Sequence, residues 1–174
     1  MNRQLIIGFA TEGGTDTRFL ESVILRTVEW ITFDECSGQI EVLPLISIEK
    51  VKGGFSEAVM TYAQKAYNTG VMILCVHTDA DADTDENAFA YKINPAFAEI
   101  ADQEEDTHCK NLIALVPVQM TEAWMLADTE LLKRQLGVNS RDADLGIHRR
   151  PEDYADPKAA IREAIRIAFE NISR

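Results

Sequence analysis

A chain of 174 residues has room for one domain, or for two only if both are small. With 46% hydrophobic and 26% charged residues it has the composition of a globular core and not of a disordered segment. Its formal charge of −12, from 29 acids against 17 Lys plus Arg, excludes a broad autonomous grip on a polyanion, because non-specific nucleic-acid affinity comes from neutralising phosphates. That charge is uneven: residues 1–132 hold 22 acids and 8 bases, residues 133–174 hold 7 acids and 9 bases, so a nucleic acid would be met through the C-terminal region.

Gln4 to Thr11 reads as a first strand, and Glu12-Gly13-Gly14-Thr15-Asp16 follows it at once. Thr15 or Asp16 is placed to cap a helix in which Phe19, Leu20, Val23, Ile24, Val28 and Ile31 recur at helical spacing. A second strand runs from Ile40 to Ile48 and carries Pro44; a proline cannot donate to a ladder, so this strand belongs at an edge. Gly53-Gly54 precede a helix from about Ser56 to Tyr67. The uninterrupted apolar run Val71 to Val76 has the character of a strand buried on both faces, and it breaks into the alternating acids Asp79, Asp81, Asp83 and Asp85.

A helix from roughly Pro95 to Asp106 and a fourth strand from Lys110 to Val118 follow. Thr121 opens a helix that continues to Leu136, with Gly137 as its stop. Asn139 to Asp156 is polar and reads as a long loop, and Asp156-Pro157-Lys158 begins a last helix. The alternation of strands and helices predicts an α/β fold around a mostly parallel sheet of about four strands, in three layers, plus C-terminal helices. One domain is expected over 1–174, as a core of 1–120 and a helical extension of 121–174.

Cys36, Cys75 and Cys109 show no C-x-x-C spacing, which suggests neither a disulfide framework nor a zinc site. The N-terminus lacks a signal-peptide h-region and no stretch approaches the roughly 18 apolar residues of a membrane span, so no membrane partner and a cytoplasmic location are expected.

The chemistry concentrates at strand ends. Glu12 and Asp16 follow the first strand, and Asp79, Asp81 and Asp83 follow the third; if these strands are neighbours, the carboxylates converge where open α/β sheets bind their ligands. Mg²⁺ takes hard oxygen ligands and keeps several waters, so a few carboxylates and a substrate phosphate complete its shell. An acidic, solvated loop is the bland alternative. A Ca²⁺ loop begun at Asp79 fails, with Thr84 in place of the glycine and Ala90 in place of the bidentate Glu. An aspartyl-phosphatase reading fits poorly, because Asp83 stands where Thr or Val is needed. Asp83 is a possible third ligand, and Asp85 is left to solvent. Glu122, after the fourth strand, is a further site candidate.

Strand, Glu12-Gly13, helix, and later an apolar strand ending in Asp79-Ala80-Asp81 resembles the Toprim domain, a Rossmann-like fold shared by primases, topoisomerases, OLD-type nucleases and small ribosomal-RNA-maturing nucleases. Asp16 is similar to the extra acid of the OLD-type nucleases. Val116-Pro117-Val118-Gln119-Met120-Thr121-Glu122-Ala123-Trp124-Met125-Leu126-Ala127-Asp128 and Asp156-Pro157-Lys158 resemble the closing motifs of a short Toprim-like bacterial family of unknown function.

The resemblance implies Glu12 as general acid/base or metal ligand, Asp79 and Asp81 as holders of Mg²⁺ or Mn²⁺, and Lys158 or Lys110 as the cation on the developing phosphate charge. The implied activity is metal-dependent nucleic-acid cleavage, with a defence or repair complex as a setting the resemblance suggests. The chain has no primase zinc module and no second domain for a topoisomerase tyrosine, which sets those two activities aside. Its small size and acidic surface leave open a partner-dependent or non-catalytic subunit working with an ATPase. Phosphohydrolysis or phosphotransfer on a small phosphorylated molecule, and self-assembly, also stay open.

Overall fold

The computed structural model describes residues 3–118 and 121–172, and in it the apolar runs become parallel strands joined by amphipathic helices. The first apolar run divides at Ile6 into β1 (Arg3–Leu5) and β2 (Ile7–Ala10). The second divides around Pro44 into β3 (Ile40–Val42) and β4 (Ile46–Ser47), as expected where a residue without an N–H interrupts a ladder. β1 and β3 form a parallel pair. β5 (Ile73–His77) and β6 (Leu112–Leu115) complete a four-stranded parallel sheet in the order β4-β2-β5-β6. The strand bearing Pro44 thus ends at an edge, and the apolar run enters the interior of the sheet only from Ile73, with Leu74, Cys75, Val76 and His77 buried and Met72, ahead of the strand, exposed.

The chain gathers into two compact units, Met1–Thr78 with Glu86–Val116, and Asp79–Asp85 with Pro117–Arg174. In the first, α1 (Gly14–Asp34) follows β2 and α2 (Phe55–Asn68) follows β4. Ala58, Val59, Tyr62, Ala63 and Ala66 recur every three or four residues on α2, and they share a core with Ala10, Leu74 and Val76 on one face of the sheet. Strand alternation turns Ile7, Phe9 and Cys75 to the opposite face, all buried, and α1 buries Leu20 and Ile24. The unit is a three-layer α/β fold around a parallel sheet.

The helix expected from Pro95 begins earlier, as α3 (Glu86–Ala88), a π-turn (Phe89–Ile93) and α4 (Asn94–Ala101). The N–H of Asn94 reaches back five residues to the carbonyl of Phe89, and this longer register sits just ahead of Pro95, whose missing N–H would break the usual ladder.

In the second unit the single helix expected from Thr121 is interrupted. It forms α5 (Thr121–Met125) and α6 (Thr129–Leu136), because Asp128 Oδ1 accepts the Leu131 N–H at 2.8 Å and starts a new helix. Gly137, at φ 69°, supplies the left-handed stop. The stretch from Asn139 to Asp156 is irregular but anchored: Leu145, Ile147 and Tyr154 are buried with Leu126 and Ala164, and the Tyr154 hydroxyl donates to the Gly146 carbonyl at 3.1 Å. Asp156 then caps α7 (Pro157–Ile172) through the Ala159 N–H at 2.8 Å. Gln119 and Met120 of the resembling motif lie outside the described residues. Among those described, no helix is long and apolar enough to cross a membrane.

Candidate active site

From β2 the chain moves outward to β4 on one side and then returns to β5 on the other, so the strand order reverses between β2 and β5. At such a switch point the loops leaving the two strands part to opposite sides and open a crevice at the carboxyl edge. β2 and β5 are direct neighbours, with Ala10 in register with Val76. Two residues beyond that pair, the Thr78 hydroxyl donates to Glu12 Oε1 at 2.7 Å. Thr78 is fully buried and Glu12 is exposed, so a rigid donor fixes one carboxylate oxygen and the other side of the group meets solvent.

The turn under Glu12 is tied down by its own side chains. The Thr11 and Thr17 hydroxyls share a hydrogen bond at 2.7 Å, and whichever of them accepts it is left to donate to the Gly13 carbonyl, 3.1 Å from both. Gly13 is the N-cap of α1 and no side-chain cap bond forms, so Asp16 does not take the capping role expected of it; the side chain of Thr15 lies outside what is described. Asp16 folds back over Gly13, where a Cβ would stand 2.8 Å from Asp16 Oδ2. The glycine thus leaves the space in which the Asp16 carboxylate rests.

Lys50, just past β4, donates from Nζ to the Glu12 carbonyl at 2.7 Å. The Glu12 N–H points at His77 Nδ1 across a long 3.5 Å. Thr11, Glu12, Lys50, Gly53, Tyr62 and His77 line a cleft of about 260 Å³ at this edge. A cation, a carboxylate and a buried imidazole thus converge at the mouth of the parallel sheet. Lys110 stands at the opposite edge, before β6, where Nζ donates to the Ala101 and Gln103 carbonyls and secures the end of α4. Its charge serves that helix terminus.

In the second unit the acidic stretch runs beside Pro117–Val118: the Ala80 N–H donates to the Pro117 carbonyl at 2.9 Å and the Ala82 N–H to the Val118 carbonyl at 3.4 Å. Ala80 is buried, Asp79 and Asp85 are half-buried, and Asp81 and Asp83 are exposed. Asp81 holds φ 51°, a left-handed conformation that aspartate tolerates better than most residues. Glu122, with a side chain only 12% exposed, faces Lys158 Nζ at 3.5 Å, so the two remaining candidates form a pair.

The candidate ligands are all carboxylate oxygens, which fits Mg²⁺ or Mn²⁺ and not a soft metal. Among the described residues no three His, Cys, Asp or Glu side chains gather into a cluster able to hold a metal ion. Mg²⁺ is commonly held by one or two carboxylates with waters and substrate phosphates, so the donor chemistry remains suitable. The three cysteines are free, and burial pushes the Cys75 thiol up to about 11, which keeps it protonated and inert.

Thr78 and Lys50 escaped the sequence reading. Each follows a strand at the same edge as Glu12, and that position was the available signal. A family profile described as "Domain of unknown function (DUF4276)" matches residues 11–173. Neither a curated protein nor a solved structure matches the chain.

Proposed function

The chain belongs to the DUF4276 family, and we propose that it hydrolyses nucleic-acid phosphodiesters with Mg²⁺ or Mn²⁺, in the manner of the Toprim nucleases its motifs resemble. The observation that carries this reading is the Thr78–Glu12 hydrogen bond at the switch point of the parallel sheet. It fixes the carboxylate of the Glu-Gly motif against the residue that immediately precedes Asp79-Ala80-Asp81 in the chain.

Glu12, with one oxygen held by Thr78, accepts the proton of the attacking water; Lys50, at the cleft mouth, holds a substrate phosphate oxygen. Asp79 and Asp81 would hold the metal, with Asp83 as a further donor beside them, and Asp16 would offer its carboxylate beside Glu12. Bound there, such an ion would supply Lewis-acid stabilisation of the phosphate and a lowered pKa for its bound water. Lys158, already neutralised in part by Glu122, contributes positive charge to the phosphate path. A cytoplasmic location is part of the proposal and agrees with three free cysteines.

The test is incubation of the purified chain with DNA and with RNA in Mg²⁺ or Mn²⁺, beside Glu12→Gln and Asp79→Asn. Divalent-dependent cleavage that either variant abolishes supports the proposal. No cleavage, or cleavage unchanged in both variants, sinks it. The modest cleft volume favours a second reading, hydrolysis of a small phosphorylated molecule. Inhibition of polynucleotide cleavage by mononucleotides at low concentration would select that one.

A further inference from the structure

Away from the Glu12 cleft, the last turns of α1 expose Trp30, Ile31 and Phe33, with Phe33 87% exposed and Trp30 59%. The same end is acidic. Asp34 and the C-cap Glu35 stand where the helix macrodipole is already negative, and no base occupies the last turn. Beside these side chains runs a groove of about 460 Å³, lined by Glu29, Thr32, Phe33, Gln39, Ile40 and Val42.

The far wall of this groove is a strand edge. β3 pairs with β1 alone among the described residues. The Gln39 carbonyl accepts from the Arg3 N–H and the Leu43 N–H donates to the Leu5 carbonyl, so the odd-numbered residues of this segment face β1. By the alternation of a parallel ladder, Ile40 and Val42 turn their N–H and C=O groups to the open edge. Pro44, next in that even-numbered series, has no N–H to offer, which limits any added strand to a short one.

We infer that this groove docks a short extended segment of a partner protein, added as a strand beside β3, whose every second residue, by turns apolar and basic, faces α1. Its apolar side chains lie against Phe33, and its cations lie toward Glu29, Asp34 and Glu35. Charge complementarity selects this occupant. A second copy of the chain would set the same carboxylates against themselves in a two-fold contact, and the chain's charge of −12 opposes it further. On β1 and β3, Arg3 and Glu41 offset one another and leave the acidic balance unchanged. Strand addition supplies main-chain hydrogen bonds for affinity, while the groove reads alternate side chains.

The probe is a fluorescent eight-residue peptide, Thr-Phe-Thr-Lys-Thr-Val-Thr-Lys, whose Phe, Val and Lys side chains share one face of a strand, titrated by anisotropy. Binding is expected, with affinity at least about tenfold weaker for Phe33→Ser and for Glu29→Lys, each tenfold being one decade in Kd. Both positions are at the surface, so folding is not at stake. Glu104→Lys with Glu105→Lys, on the loop between α4 and β6 that does not line the groove, is expected to leave affinity within about twofold. Equal weakening by that distal reversal would show attraction to bulk charge and overturn the inference. So would undiminished binding of both of two peptides N-methylated at the odd and at the even amides, one set of which must face β3, or no binding at all. Sedimentation showing a wild-type dimer that Phe33→Ser dissociates would assign the face to a second copy and likewise overturn it.

Discussion

The Thr78–Glu12 pair gives the site its sharpest residue-scale test, because one hydroxyl separates orientation from ionisation. Thr78→Val keeps the shape of a fully buried side chain and removes the donor to Glu12 Oε1. Cleavage is expected to fall roughly tenfold, the scale of one lost orienting hydrogen bond, whereas Glu12→Gln removes the base and costs about 10²-fold or more. Equal rates for wild type and Thr78→Val would remove Thr78 from the proposal. Gly13→Ala probes the neighbouring acid without touching it. A methyl group 2.8 Å from Asp16 Oδ2 displaces that flexible carboxylate and little else. If Asp16 serves the metal, Gly13→Ala and Asp16→Asn raise the Mn²⁺ concentration for half-maximal activity alike; a neutral Gly13→Ala beside a defective Asp16→Asn would contradict the shared cause.

At the scale of elements, what the sequence made legible was local. Residues 71–76 announced a buried strand because every side chain in it is apolar, though the strand starts only at Ile73 and leaves Met72 exposed, and α2 announced itself through the spacing of Ala58, Val59, Tyr62 and Ala66. Pro44 placed its strand at an edge because a missing N–H acts wherever the chain goes. Glu12 could be singled out by its position between strand and glycine, but its bond to Thr78 spans 66 residues and depends on the register of β2 with β5, which no local pattern encodes. Lys50 was hidden for the same reason. In the stretch from Asn139 to Asp156 polar composition masked three anchors, Leu145, Ile147 and Tyr154. Leu145→Ala should therefore cost about 2–5 kcal/mol, the range for a fully buried leucine, where a solvated loop would lose almost nothing on denaturant unfolding.

The same element carries a pH-dependent anchor. Lys133, buried in the last turns of α6, meets Asp142 at 2.7 Å, and the Thr129 hydroxyl adds a bond to that carboxylate at 3.0 Å. The Lys133 ammonium first, and then Thr129, hold the Asp142 carboxyl below the usual carboxylate range; the lysine is held above its own. A depressed folded-state pKa means stability that is present above the unfolded value and is lost as pH falls through the folded one. The lysine contribution behaves inversely and is lost only in strong alkali. The difference in Tm between wild type and Asp142→Asn should thus be constant from about pH 5 to 9 and shrink below about pH 4. A difference that persists undiminished at pH 2.5 would show that the ion pair is not its source.

For the whole molecule, a charge of −12 sets what kind of nucleic-acid contact the proposed activity allows. A surface built for polyanions neutralises many phosphates, and six to ten such contacts cost roughly 10³–10⁵ in affinity between 50 and 200 mM salt. Here the bases concentrate in residues 133–174, and several are already engaged: Arg141 pairs with Asp144, Arg150 with Asp153 and Arg166 with Glu163. Two or three phosphate contacts are a reasonable supply, and at about −0.9 per contact in the log–log slope they predict a loss of only about ten- to forty-fold over the same salt range. The rest of the attraction must come from the divalent ion, whose charge opposes the acidic field at the one place where the substrate has to approach. Binding measured with Ca²⁺ in place of Mg²⁺ should accordingly depend steeply on the metal and shallowly on monovalent salt, and, if the exposed Arg149 of that C-terminal stretch is one of the contacts, Arg149→Glu should flatten the salt slope by about one unit. A salt dependence as steep as that of a basic nucleic-acid binder, or affinity indifferent to the metal, would place the phosphate grip somewhere other than the carboxylates and the few bases available.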